Sequence, residues 1–156
     1  MKVYIASDHA GFELKKALVP FLASQGHVIE DCGAAEYVEG DDYPDIIPHC
    51  AKKVAVDEGS VGIVIGASGQ GEAIAANRIP GVRAAVYYGE PRAPQTDLSG
   101  ETLGILESVR EHNHANVLSL GSRFITEDEA KKAALRFLAT AYSPEERHVR
   151  RVGKLG

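Results

Sequence analysis

Residues 66–78, GASGQGEAIAANR, place Gly66, Gly69 and Gly71 with Ser68 directly behind the apolar run Val61-Gly62-Ile63-Val64-Ile65, and Glu72 directly after the last glycine. A loop of this kind, where a strand feeds a helix, exposes consecutive backbone N–H groups that favour negative charge. The stretch lacks the GK[ST] ending of a P-loop, and Gly69-x-Gly71-x-x-Ile74 misses the small third residue of a dinucleotide fingerprint. What survives is a generic anion nest. Glu72, on the first turn of the helix that follows, either complements the helix dipole or acts as a base.

Two other polar clusters follow strand-like runs. SDHAG puts Asp8 and His9 behind the first, and GSR puts Arg123 behind the last. Alone, either could be chance, and an Asp-His pair in a turn is more often an ordinary loop pair than a catalytic one, because aspartate favours turns for its own local hydrogen bonds. Near the C-terminus RHVRR supplies Arg147, His148, Arg150 and Arg151. Arg147 and Arg151 are four apart, so on a helix they share a face. They are either a solvated helix end that complements the dipole or a two-pronged phosphate clamp suited to planar guanidinium groups.

The elements that must position these groups follow from hydrophobic periodicity. KVYIAS at 2–7 reads as a strand, and Leu14, Ala17, Leu18, Phe21 and Leu22 form the stripe of an amphipathic helix. HVIEDCG reads as a second strand, and the segment Asp45 to Asp57 reads as a helix after a break at Tyr43-Pro44. VGIVIG is a buried strand, VRAAVYY a fourth and ANVLSLG a fifth. Thr126-x-x-Glu129 is a capping box, and Ser143-Pro144-Glu145-Glu146 predicts the start of a last helix in a C-terminal segment 143–156. Strands alternating with helices, without two-residue hairpin signals, predict an α/β fold: a Rossmann-like open parallel sheet of about five strands flanked by helices. Ligands of such sheets sit beyond the carboxyl ends of the strands, where all three polar clusters fall.

Composition bounds the possibilities. A chain of 156 residues, 44% hydrophobic and 25% charged, suits one domain over 1–156 with a full core. A net charge of -5 argues against nucleic acid as a partner. Without a long apolar run or a basic leader the expectation is no membrane and a cytoplasmic protein. Cys32 and Cys50 lack metal or redox spacing and read as reduced, partly buried thiols.

SDHAG, DCGA, DYPD, ASGQGEAIAANRIPGVRAA, EHNHANVLSLGSR and the terminal RHVRR, in this order over nearly the whole chain, resemble the ribose-5-phosphate isomerase B family. The resemblance implies an aldose–ketose isomerase of sugar phosphates working through an enediolate, with no cofactor and no metal. The substrate it implies is ribose 5-phosphate, or a hexose 6-phosphate such as allose or galactose 6-phosphate; a non-catalytic sugar-phosphate-binding protein is the remaining alternative. In one branch a cysteine opening the glycine loop is the base; here that position is Gly66, and Glu72 occupies the place of the glutamate that is base in the other branch. The resemblance further implies that Ser68 assists, that His112 opens the sugar ring, and that Asp8, Tyr43 and Asn113 hold the sugar beside the loop residues Ala67, Gly69, Gln70 and Gly71. Phosphate falls to His9, Arg123, Arg147 and Arg151, with His148 as a further candidate. Family members share active sites between subunits, so a homodimer or dimer of dimers is expected, with Arg123 or the His112-Asn113 segment facing a partner loop.

The chain departs from its relatives at 89–104, a visibly longer stretch in which Pro91, Pro94, Ser99 and Gly100 disfavour helix or strand. It reads as a tolerated surface insertion or as a lid over the sugar, with Arg92 as an extra phosphate contact.

Overall fold

The structure, a computed structural model, describes residues 1–91, 93, 96, 100 and 102–155. Five strands, β1 (Lys2–Ser7), β2 (Val28–Asp31), β3 (Val61–Gly66), β4 (Ala84–Tyr87) and β5 (Val117–Gly121), form one sheet in the order β2-β1-β3-β5-β4. Every neighbouring pair is parallel. The helices are α1 (Phe12–Ser24), α2 (Tyr43–Val56), α3 (Gln70–Ala76), α4 (Ile105–Asn113), α5 (Glu127–Ala139) and α6 (Glu146–Val152), with a 3-10 turn at His9–Gly11. None of the helices is long and apolar enough to cross a membrane among the described residues.

Both faces of the sheet are covered, which is why its central strands read as unbroken apolar runs. Side chains alternate all the same. Val3, Ile5, Ile63, Ile65, Leu118 and Leu120 join one buried cluster with Leu18, Leu22 and Phe137 of α1 and α5. Tyr4, Ala6, Val64 and Val117 join the other, with Ile47, Cys50, Ala51 and Ala76 of α2 and α3. Gly62 lets α2 approach closely on that second face, since a Cβ there would stand 3.0 Å from a methyl of Val54. The edge strand β4 is closed partly by a side chain: Asn77 donates to Ala84 O at 3.0 Å and accepts from Ala84 N at 2.7 Å.

Three local expectations change. Tyr43-Pro44 is no break but the first turn of α2, where a proline costs nothing because its missing N–H has no acceptor there. The last helix starts at Glu146, not at Pro144; Glu145 at its N-cap keeps an extended ψ of 135°, so the expected Ser143 capping box does not form. Ser143 Oγ accepts only a long bond of 3.4 Å from Glu145 N. The second strand is four residues long, Val28–Asp31, shorter than the apolar run suggested. By contrast the Thr126/Glu129 capping box forms in full, reciprocal hydrogen bonds included. Of the 89–104 stretch, Arg92, Pro94 and Ser99 lie outside the described residues. Its start is pinned by Glu90, which pairs with Arg136 at 2.6 Å.

Candidate functional site

β1 is flanked by β2 on one side and β3 on the other, so the chain reverses its winding direction between β1 and β3. The crevice beyond the carboxyl ends of such a pair is where open α/β sheets hold ligands. The two loops there are tied together: Asp8 N donates to Ile65 O at 3.3 Å. Asp8 is 7% exposed and its carboxylate caps the 3-10 turn by accepting from Gly11 N at 3.1 Å. Gly11 is required by closeness, because a Cβ would stand 2.5 Å from Ile65 O.

Glycine geometry builds the nest. Gly69 takes a left-handed φ of 74° at the N-cap of α3, a conformation that disfavours other residues. Its carbonyl is held by Ser119 Oγ at 2.6 Å. Ser68 Oγ accepts from Gln70 N at 3.3 Å, which folds the serine back over the loop. Gly71 has the Tyr43 ring against it, so close that a Cβ would stand 2.6 Å from Cζ. Gly66, the last residue of β3, is bare for a different reason: the volume its Cβ would fill belongs to the Glu72 carboxylate. A side chain at position 66 and the Glu72 carboxylate therefore exclude one another in this conformation.

Glu72 is only 3% exposed. Burial raises its pKa above the usual carboxylate value, and the nearby Asp8 charge adds to the rise, against the opposing hydrogen bonds of the Glu72 and Gly69 backbone. A carboxyl so placed, beside amide N–H groups, combines a proton acceptor with dipoles aimed at developing negative charge. The dipole-complementing reading does not require such burial. Ala67 and Arg123 complete this edge, where Arg123 N donates to Ala67 O at 3.2 Å and Ser122 N to Gly66 O at 2.8 Å. The Arg123 side chain is exposed.

The remaining expected residues lie elsewhere. His112 and Asn113 end α4, and four residues after Asn113 the chain enters β5 at Val117. Val117 is in register with Gly62, whereas Gly66 is in register with Gly121. Four residues of strand, roughly 13 Å, thus separate the end of β3 that carries the nest from the edge at which α4 finishes. α6 sits at that second edge too: the His148 ring packs on His112 with centroids 4.4 Å apart. His148 is 2% exposed, and burial first, then His112 and Arg147, push its pKa down. Arg147 and Arg151 share one face of α6, as their spacing requires, and Arg147 pairs with Glu145 at 2.8 Å. The structure therefore splits the expected site into two halves at opposite edges of one sheet: Asp8, His9, Tyr43, the loop from Ala67 to Gly71, Glu72 and Arg123 at one, and His112, Asn113, Arg147, His148 and Arg151 at the other.

Two features were not legible from spacing. Cys32 and Cys50, expected only as reduced, partly buried thiols, meet in the second core cluster, and the nearby Cys50 thiol lowers the pKa of Cys32. Asp41 holds His9, both through its backbone N–H at 2.7 Å and through ring Nδ1 at 2.9 Å. They are 32 residues apart, and Asp41 lies in an acidic loop without periodicity, so no local pattern marks the pair.

Residues 3–155 match the family described as Ribose/Galactose Isomerase. The chain is 40% identical to the ribose-5-phosphate isomerase B of Mycobacterium tuberculosis over 152 residues, which are 97% of this chain and 86% of that one. A solved structure from Clostridium thermocellum, a ribose-5-phosphate isomerase B, superimposes with a TM-score of 0.85 at 37% identity, covering 100% of this chain and 95% of the other. That of Mycoplasma genitalium, described with bound ribulose-5-phosphate, does so with a TM-score of 0.84 at 34% identity over 99% and 93% of the two chains. With its residues 3–155 matched to that family and 40% identity to a curated relative over 97% of its length, the chain belongs to the ribose/galactose isomerase family.

Proposed function

We propose that this chain interconverts ribose 5-phosphate and ribulose 5-phosphate through an enediolate, with Glu72 as the base. The observation that carries the reading is the buried Glu72 carboxyl lodged in the space over Gly66 beside the nest. Glu72 takes the proton from C2 of the open aldose and returns it to C1, so one carboxyl serves as base and then as acid. The N–H groups of Ser68 to Gly71, with the Ser68 hydroxyl, face the oxygen on which charge develops. Asp8, Tyr43 and Asn113 hold sugar hydroxyls. Proton transfer between adjacent carbons closes without a cofactor.

Ring opening belongs to His112, which stands at the wrong edge of its own sheet to reach Glu72. The working unit is therefore a symmetric dimer, or a dimer of dimers, in which the partner's His112, Asn113, Arg147 and Arg151 complete a site whose Glu72, His9 and Arg123 come from this chain. Phosphate is held by His9, Arg123 and that arginine pair. The protein works in the cytoplasm on a small sugar phosphate.

The test is conversion of ribose 5-phosphate in deuterated water. Deuterium at C1 of the ribulose 5-phosphate formed supports the enediolate. Binding without turnover or exchange makes the protein a sugar-phosphate binder. A panel including allose and galactose 6-phosphates sets the substrate, and a higher kcat/KM for a hexose would move the assignment to the six-carbon sugars.

A further inference from the structure

His9 donates its backbone N–H to Asp41 Oδ1 at 2.7 Å, and its Nδ1 lies 2.9 Å from the same oxygen. The two residues come from different parts of the chain: His9 from the turn after β1, Asp41 from the loop between β2 and α2. The Asp41 side chain is 13% exposed and that of His9 30%, so this contact is partly shielded from water. Tyr37, from the same loop as Asp41, sets its ring edge-on to the imidazole at 6.5 Å.

This arrangement dictates which atom of His9 is available. An ionised carboxylate only accepts, so the proton shared with Asp41 is carried by Nδ1. Nε2 is then a bare lone pair in the neutral imidazole, unable to donate to a phosphate oxygen. It gains an N–H only in the imidazolium. Within this chain the charged groups that act on the ring are two acids, Asp41 through its hydrogen bond and Asp8 through its charge, and both raise the His9 pKa against the lowering by desolvation; the arginines proposed to share the phosphate act in the opposite sense.

We propose that Asp41 is a positioning residue of the phosphate pole, taking both the backbone N–H and Nδ1–H of His9 and so leaving Nε2 as the donor to the substrate phosphate. The proposal rests on His9 as a phosphate ligand. Its consequence is a recognition step that needs the cation: KM for the sugar phosphate rises with pH as His9 loses its second proton. Asp41 moves that loss to higher pH.

The experiment compares the full-length protein with its Asp41→Asn variant, which keeps an oxygen of the same shape but no charge. The His9 Cε1–H resonance, assigned by its disappearance in His9→Gln, is titrated by NMR without substrate. KM and kcat for ribose 5-phosphate are measured across the same pH range. The expected result is a lower His9 midpoint in Asp41→Asn, with KM rising at correspondingly lower pH and kcat little changed. A midpoint lower by a full pH step of one means about a tenfold loss of imidazolium above both midpoints. The second ionisation of the substrate phosphate, at about 6, is common to both proteins and cancels in the comparison. An unmoved His9 midpoint overturns the role of Asp41, whatever His9 binds. A midpoint that moves while KM does not follow leaves Asp41 holding His9 but overturns the phosphate assignment of His9 and with it the proposal.

Discussion

At the scale of single residues, Gly66 and Glu72 define one another, since the carboxylate occupies the volume a side chain at 66 would need. Replacing Glu72 by Gln keeps the shape and removes the proposed base, so the expected fall in kcat is about 100-fold or more. Stability moves the other way. A carboxyl whose pKa is raised in the folded state holds its proton more tightly there than in the unfolded chain, so ionising it costs stability. That cost develops as pH rises from the ordinary glutamate value through the raised one and is complete above both. Glu72→Gln therefore unfolds at an equal or higher temperature than wild type at neutral pH, measured by calorimetry alongside kcat. A residue that served only as helix support would lose stability with activity. In the wild type, the acid limb of kcat reports Glu72 and lies above the ordinary carboxylate range.

Among the elements, α2 and α3 meet at the site through Tyr43 and Gly71. Gly71→Ala favours the helix by roughly 1 kcal/mol in propensity, yet its Cβ would stand 2.6 Å from the Tyr43 ring. The expected outcome is lost kcat/KM, with the ring or loop displaced. In a Tyr43→Ala background the same change is neutral or stabilising, so a double-mutant cycle shows coupling between the two. At α6, changing Arg147 or Arg151 to alanine weakens sugar-phosphate binding by about 1.5 to 3 kcal/mol if each donates to the phosphate. Turnover of unphosphorylated ribose stays unchanged. An equal loss for both substrates would mean that α6 is a structural prop for His112, on which His148 packs.

For the whole molecule, the separation of Glu72 from His112 by the height of the sheet makes a prediction about assembly. Glu72→Gln and His112→Gln subunits, each inactive by itself, are unfolded together and refolded as a mixture. With shared sites, a mixed dimer has one doubly substituted site and one with both native residues. Half the dimers are mixed, so activity returns to about a quarter of wild type. If each chain used its own His112, no mixture would recover activity.

The glycine nest, Glu72 behind it, the arginine pair on one helical face and the parallel sheet were all legible in the sequence. Each depends on short-range rules: φ preferences of glycine, a helical period, alternation on a doubly covered strand. The opposite-edge position of His112 was implicit in the strand–helix–strand order, because a helix leading into β5 ends where β5 begins. Tertiary structure alone decided that Asp41 takes both donors of His9, that the Glu72 carboxylate fills the place of a side chain at 66, and that His148 buries against His112. It also overruled the local helix-start signal at Ser143 with an extended Glu145. These are contacts between segments that only the packing of helices on the sheet brings together, and no periodicity within either segment records its partner.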